Sequence, residues 1–191
     1  MDRTKQMRGY LRSYLAERMQ EKVKMMDKVQ ADDLILLASG LLQKALICQR
    51  EGSSWKPSCM CLLQLLSGLG TDIPTYQLLL TDQQVYLDDR QLIDLWHPRF
   101  LYDSTEERAL LKKRLCTDFP RLNGYELSYM CHWVFYGYRK LMEVYWREQA
   151  AKLSVLEEFQ ELDKDIPFYF LFGDYMGELK ITLQYGGEMI K

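Results

Sequence analysis

Apolar residues recur every three to four positions along much of the chain, which is the period of an amphipathic helix. The pattern is clearest over residues 7–26, where charged side chains fill the positions between. It is also clear over residues 34–46, where Asp32 and Asp33 are suited to cap the helix start. We therefore predict a basic amphipathic N-terminal helix within residues 1–28 and a second helix soon after it.

Two shorter apolar stretches are predicted as helices from the residues at their ends. Residues 58–66 contain no charged side chain, begin at a serine that can cap a helix, and end before Gly68, which favours helix termination. Residues 89–96 begin at an aspartate and stop before Pro98. The lack of charge in the first stretch predicts that this helix is fully buried.

Two other segments favour extended structure. Two apolar runs within residues 73–88 flank a Thr-Asp turn and indicate a hairpin, although Asp72 and Pro74 are equally suited to begin a helix. Apolar residues alternate strictly over residues 179–185, which is typical of a strand. We predict that residues 167–191 form an extended tail that joins the hairpin in a small sheet.

The longest predicted helix covers residues 124–163. It begins where Asn123 and Glu126 can each satisfy a free backbone amide of the other, an arrangement known as a capping box. Apolar residues then follow at spacings of three and four, which predicts one continuous seam: Leu127, Cys131, Val134, Tyr138, Leu141 and Tyr145. A break in this central helix is expected near Ser154.

A second capping box, at Ser104 and Glu107, predicts one more helix, which ends before Pro120. The chain has no internal repeat, no low-complexity tract and no linker that would separate two large domains. These elements predict a mainly α fold. We expect a bundle-like single domain of residues 1–191, in which the central helix is the main core element and a small hairpin or C-terminal strand is added.

Composition and charge predict a soluble cytoplasmic protein. The 191 residues are 48% hydrophobic and 27% charged, which is too apolar for a disordered chain and too charged for a membrane protein. The five cysteines are odd in number and follow no disulfide framework, so we interpret them as reduced thiols. The first residues carry several charges where a secretory signal would need an apolar segment.

Residues that would indicate catalysis or a cofactor are missing from the sequence. The glycines of Ser-Gly-Leu-Gly-Thr at residues 67–71 follow a predicted helix and lack the Lys-Ser/Thr of a phosphate-binding loop, so we interpret them as a helix terminator. The Gly-x-Ser-x-Gly sequence of hydrolases is absent, and the chain has only two histidines. We therefore predict no catalytic residues and no cofactor, and the sequence disfavours an enzyme.

Metal binding is also disfavoured by spacing. Cys59, Cys61, Cys131 and His132 are ligand types that zinc uses. On a helix, however, Cys59 and Cys61 would point to opposite sides, and Cys131 and His132 would diverge by about 100°. We predict that these cysteines pack as small hydrophobic side chains and that the protein holds no metal.

An aromatic face on the central helix is the first candidate binding site. The 3.6-residue repeat places five side chains within an arc of about 100°, apart from the apolar seam: Tyr125, Tyr129, His132, Trp133 and Tyr136. Each has a polar group that needs a partner when it is buried, so a partly open groove for a peptide or a small ligand is one interpretation. The alternative is that another element covers this face as part of the core.

A basic surface on the N-terminal helix is the second candidate. Residues 1–28 contain eight lysines and arginines against four acidic residues, and Lys5, Arg8 and Arg12 fall on one side of the helix. They could contact an acidic partner or phosphates, or simply be solvated. We predict a protein-binding module whose partner is a protein or a peptide. A small-molecule binder or enzyme with an aromatic pocket between helices is the alternative, and nucleic acid and membranes are disfavoured.

Overall fold

The structure is a computed structural model that describes residues 3–26, 32–67, 74–98 and 104–187. In chain order its elements are α1 Arg3–Met26, α2 Asp32–Arg50, β1 Cys59–Leu65, β2 Thr75–Thr81, a 3₁₀ turn Val85–Leu87, β3 Leu92–Trp96, α3 Ser104–Asp118, α4 Gly124–Gly137, α5 Arg139–Leu153, α6 Glu157–Glu161, β4 Phe168–Asp174 and β5 Leu179–Tyr185. The fold is mixed α/β with a five-stranded sheet. The prediction of a mainly α, bundle-like fold is therefore wrong.

The chain divides into two compact units. The first, which we call the helical unit, is built mainly from residues 3–26 and 104–142. The second, the sheet unit, is built from residues 32–66, 75–96 and 143–187. Each unit is therefore assembled from segments that are distant in the sequence.

Three helices lie side by side in the helical unit. Helix α1 runs parallel to α4, because Arg3 pairs with Glu126 at one end and Leu15 packs against Gly137 at the other. Helix α3 runs antiparallel to α1, since Phe119 near its end contacts Tyr10 whereas Glu107 near its start reaches residues further along α1. Apolar side chains of all three helices are buried: Met7, Leu11, Leu111, Leu115, Leu127, Met130 and Val134.

The sheet of the second unit has the strand order β3-β2-β1-β4-β5. Strands β1 and β4 pair in parallel, and the other three pairs are antiparallel. Two of these strands, β1 and β3, were predicted as helices. Strand β1 lies at the centre of the sheet and is buried on both faces, so its sequence is apolar except for Gln64 and lacks the alternation that would distinguish a strand from a buried helix.

The hairpin predicted within residues 73–88 is half correct. Residues 75–81 form β2, but its antiparallel partners are β1 and β3, and residues 85–87 form a 3₁₀ turn instead of a second arm. Within the predicted extended tail, residues 168–174 and 179–185 form strands β4 and β5, and residues 188–191 lie outside the described part of the chain. The tail joins β2 through β1, which lies between them.

Residues 124–163 form three helices instead of one. Helix α4 ends at Gly137, α5 follows after Tyr138, and α6 is a separate turn beyond the break that was expected near Ser154. Among the described residues, none of the helices is both long enough and apolar enough to cross a membrane.

One face of the sheet packs against helices. Trp146 of α5 contacts Phe170 with ring centroids 6.1 Å apart, and Phe159 of α6 contacts Phe168 at 5.1 Å. Near β3 the rings of Trp96 and Tyr145 stack almost parallel at 5.8 Å. The core of the sheet unit is therefore an aromatic layer between the sheet and these helices.

The opposite face of the sheet is covered at its centre by residues 82–88, which we call the strap. Paired residues on neighbouring strands share a face, and the pairing places one row across this side: Ile93, Leu79, Cys61, Leu171 and Ile181. The strap residues Val85 and Tyr86 pack against the centre of the row. Ile93 and Ile181, on the two edge strands, are exposed.

Candidate functional site

The five predicted aromatic-face residues of α4 do lie on a partly exposed side of that helix. The side chain of Tyr125 is 83% exposed and that of Tyr136 is 47% exposed, while Tyr129, His132 and Trp133 are half-buried. The opposite side of α4 is the buried one, and it holds Leu127, Met130, Cys131, Val134 and Phe135. The aromatic face therefore does not form the centre of the core.

The basic surface of α1 and the aromatic face of α4 meet. The guanidinium carbon of Arg8 lies 5.0 Å from the centroid of the Tyr129 ring, and that of Arg139 lies 5.9 Å from the Tyr136 ring. Both distances are typical of cation–π contacts. Two surfaces that the sequence predicted separately are thus parts of one surface.

We call this surface the cation–aromatic face and define it by nine residues: Lys5, Arg8, Arg12, Tyr125, Tyr129, His132, Trp133, Tyr136 and Arg139. Lys5 and Arg12 are exposed and lie about one helical turn to either side of Arg8. The buried Nε of Arg8 has no hydrogen-bond partner among the described residues. The surface therefore combines exposed cations with partly exposed aromatic rings.

On the buried side of the helical unit, Glu107 is the centre of an ionic cluster that sequence reasoning missed. Arg18 and Lys22 both bind its Oε1, the second at 3.2 Å. The hydroxyls of Tyr14 and Tyr138 donate to its Oε2 at 3.5 and 3.3 Å. Burial and the nearby negative charge of Glu107 raise the pKa of both tyrosines. All five groups are thereby partnered, which indicates a structural role.

The two predicted capping boxes have different outcomes. At the start of α4, Asn123 Oδ1 accepts from the Glu126 amide at 2.8 Å and Glu126 Oε2 accepts from the Asn123 amide at 3.1 Å, so this box is confirmed. At the start of α3, the Ser104 side chain lies outside the part that the structure describes. The carboxylate of Glu107 is engaged in the ionic cluster.

A pocket of about 580 Å³ lies between α3 and the start of α4. Arg108 and Lys112 line it, together with Thr105 and Asn123, and none of its lining residues is aromatic. Arg108 also donates to Ser128 Oγ at 3.2 Å. The lining of this pocket is cationic. It therefore differs from the aromatic pocket between helices that the sequence analysis gave as the alternative binding site.

Cys59 and Cys61 lie on the same face of β1, beneath the strap. The helix predicted for residues 58–66 would have placed them on opposite sides, but this segment is a strand, and side chains two residues apart on a strand point the same way. The two Sγ atoms are 4.0 Å apart, and the Cys61 thiol donates to Cys59. This hydrogen bond lowers the pKa of Cys59; together with burial it raises the pKa of Cys61.

Cys59 also lines a pocket of about 400 Å³ on this face of the sheet. Tyr169 and Leu171 of β4 and the strap residues Gln83 and Val85 form other parts of its wall. Asp165 is the one acidic residue in its lining, and no lining residue is cationic. The pocket therefore gives small molecules or ions a route towards the Cys59 thiol.

The strap that borders this pocket is fixed by Asp88. Its Oδ2 accepts from the Trp55 indole and the Asp82 amide, both at 3.0 Å, and its Oδ1 accepts from the Arg90 amide at 2.9 Å. Burial raises the pKa of Asp88, but the Arg90, Asp82 and Trp55 donors together outweigh it and hold the pKa below its ordinary value. The strap is thus attached to the loop before β1 through an ionised side chain.

No group of three or more histidine, cysteine, aspartate or glutamate side chains is placed to hold a metal ion within the described residues. The five cysteines, all in the described part of the chain, are free thiols. In comparisons with known proteins, no family model, no curated protein and no solved structure matches this chain.

Proposed function

We propose that this protein is a non-enzymatic binding module whose cation–aromatic face binds an acidic segment of a partner protein. The observation that supports this most directly is the stacking of Arg8 on Tyr129, which joins the basic and aromatic residues into one surface. A guanidinium stacked on a ring still presents N–H groups at its edge, and these match a carboxylate in geometry.

The composition of the face supports a protein partner. Tyrosine, tryptophan and arginine are the residues that most often dominate protein interfaces, because they bury a large area with few rotatable bonds. Exposed rings at Tyr125 and Tyr136 would be covered by a partner's apolar side chains, while Lys5 and Arg12 would pair with its carboxylates. We place this interaction in the cytoplasm, where free thiols persist.

The test is a display selection of short random peptides against the purified protein, followed by affinity measurements on the selected sequences. We expect enrichment in Asp and Glu next to aliphatic or aromatic residues. Arg12→Glu should weaken binding about tenfold or more, which corresponds to roughly 1.4 kcal/mol. Lys24→Glu makes the same kind of charge change on an exposed position of the same helix, so it should leave the affinity unchanged.

Three outcomes would contradict the proposal. One is a selection that enriches no acidic sequence. Another is equal affinity of the wild type and the Arg12→Glu variant for the selected peptides. The third is tighter binding of single-stranded nucleic acid than of any peptide, with an affinity that falls steeply as salt releases counterions. Circular dichroism melts of each variant show whether lost binding reflects the contact or the fold.

A second candidate function, the binding of a small anionic molecule, is supported by the 580 Å³ pocket that contains Arg108 and Lys112. A thermal-shift screen with phosphorylated and carboxylated metabolites tests it, since a ligand that binds only the folded state raises the melting temperature. Stabilisation that disappears in Lys112→Gln but persists in Arg12→Glu would favour this pocket over the cation–aromatic face.

A further inference from the structure

The geometry of Cys59 and Cys61 prevents them from forming a disulfide with each other. Residues two apart on a strand have Cα atoms about 6.6 Å apart, and their parallel side chains keep the Cβ atoms at a similar distance. A disulfide needs Cβ atoms about 3.8 Å apart. Strand β1 is hydrogen-bonded to β2 on one side and β4 on the other, so it is not free to buckle.

The same geometry fits two thiolates on one metal ion. A metal–thiolate bond of about 2.3 Å places two sulfurs on a shared ion up to about 4.6 Å apart. The Sγ atoms are 4.0 Å apart, within that limit before any side chain moves. The two thiols therefore form a preorganised pair.

The number of ligands selects the ion. Thiolates favour soft ions such as copper(I) and zinc, and a structural zinc site requires four protein ligands. The described residues contain no group of three or more histidine, cysteine, aspartate or glutamate side chains that could hold a metal ion. Among these residues, the two sulfurs are therefore the only ligands available at this site. Copper(I) is soft and carries a single positive charge, so two thiolates can satisfy it as its only protein ligands.

We propose that Cys59 and Cys61 form a two-thiolate binding site for copper(I), which enters through the pocket beside the strap. Binding forms two copper–sulfur bonds, releases the two thiol protons to water and changes no oxidation state. Cys59 borders the 400 Å³ pocket, and Asp165, the one acidic residue in its lining, attracts a cation. Cys61 lies behind Cys59 and is fully buried, which would shield the bound ion from water and oxygen.

The test titrates fully reduced protein with copper(I) under anaerobic conditions, with bicinchoninate as a competing chelator. We expect one tightly held copper per chain and X-ray absorption spectra that show two sulfur neighbours. Cys61→Ala should weaken copper binding by about a hundredfold or more. Mutating a residue that only orients a metal ligand already lowers metal affinity by roughly 10- to 100-fold, and Cys61→Ala removes a ligand itself. Cys116→Ala removes an exposed thiol of the helical unit and should change nothing.

Alanine is chosen for these variants because it keeps the site apolar. Thermal melts of each variant check that it still folds. Two results would overturn the proposal. One is equal copper affinity in the wild type and the Cys59→Ala/Cys61→Ala protein. The other is a Cys59–Cys61 disulfide, detected by mass spectrometry after diamide treatment, because its formation would show that the strand is not rigid.

Discussion

The ammonium group of Lys22 lies 3.2 Å from Oε1 of Glu107, and the two side chains are only 4% and 3% exposed. Arg18 shares the same oxygen, so one carboxylate neutralises part of the charge of two cations inside the helical unit. Removing one partner of a buried ionic cluster leaves an uncompensated charge in the interior. This destabilises the folded state strongly, because the remaining charge has lost its hydration and is no longer paired.

We expect Glu107→Gln to lower the free energy of unfolding by about 3 to 5 kcal/mol in urea titrations at neutral pH. Glu106→Gln makes the same substitution at the exposed neighbouring position and should stay within about 0.5 kcal/mol of the wild type. A Glu107→Gln protein as stable as the Glu106→Gln control would show that the cluster is not formed.

Asp88 should make stability depend on acid pH. Its pKa is lowered in the folded state, so its contribution is fully present above the unfolded value of about 3.9 and is lost as the pH falls below it. Asp88→Asn should lower the free energy of unfolding by about 3 kcal/mol at pH 7, because hydrogen bonds to an ionised group are lost.

The stability difference between wild type and Asp88→Asn should narrow as the pH falls below about 4, because the unfolded chain then binds a proton at Asp88 while the folded protein, with its lower pKa, does so only at more acid pH. Urea unfolding curves between neutral and acid pH measure this difference. The matched control is Asp89→Asn, since the side chain of Asp89 is 95% exposed. A difference that is constant with pH would mean that the strap is not held by the ionised Asp88.

Two glycines of the sheet unit should respond to alanine in opposite ways. A Cβ at Gly173 would lie 2.3 Å from the backbone oxygen of Glu178, which has little room to move because it belongs to the turn between β4 and β5. A Cβ at Gly40, within helix α2, would meet nothing within 4 Å. Alanine at Gly173 therefore tests the effect of a steric clash on stability, and alanine at Gly40 tests the effect of backbone entropy alone.

We expect Gly173→Ala to destabilise the protein by about 1 to 3 kcal/mol, the usual range for overpacking. Gly40→Ala should stabilise it by up to about 1 kcal/mol, because alanine is the better helix former and loses less conformational freedom on folding. Thermal and urea unfolding of both variants provide the measurement. Shifts of the same sign would contradict the close approach at Gly173.

The structure shows why the sequence predicted the helical unit better than the sheet unit. Helices α1 and α4 each have one buried apolar side and one side that is at least partly exposed, so their period is visible in the sequence, and the start of α4 has a complete capping box. Strand β1 has no polar side because both of its faces are buried. Strand β3 begins after an aspartate and ends before a proline, and these residues suit a short helix equally well.

Site residues that lie on one element could be predicted from the sequence, whereas those that the fold brings together from distant segments could not. The aromatic face could be predicted because its five members lie within three turns of one helix. The Glu107 cluster could not, because its tyrosine and arginine partners on α1 are 93 and 89 residues away in the sequence. The Cys59 and Cys61 pair would have been found had residues 58–66 been read as a strand, since alternation then places both thiols on one face.

Phe135 and Tyr136 are neighbours in the sequence, and they test directly whether the cation–aromatic face is accessible. The side chain of Phe135 is 2% exposed and packs in the helical core, whereas Tyr136 is partly exposed beneath Arg139. Truncating a buried phenylalanine leaves a cavity, so Phe135→Ala should lower the free energy of unfolding by about 3 to 5 kcal/mol. Tyr136→Ala should lower it by no more than about 1 kcal/mol, which is the size of an exposed cation–π contact.

Urea unfolding of the two variants, with peptide binding measured on the same samples, distinguishes a surface from a core. A Tyr136→Ala protein that is nearly as stable as the wild type but binds the selected acidic peptides more weakly would support the proposed function. If Tyr136→Ala were as destabilising as Phe135→Ala, the ring would be part of the packed interior, because only a buried side chain leaves a cavity of that energetic size. The face would then not be available to a partner.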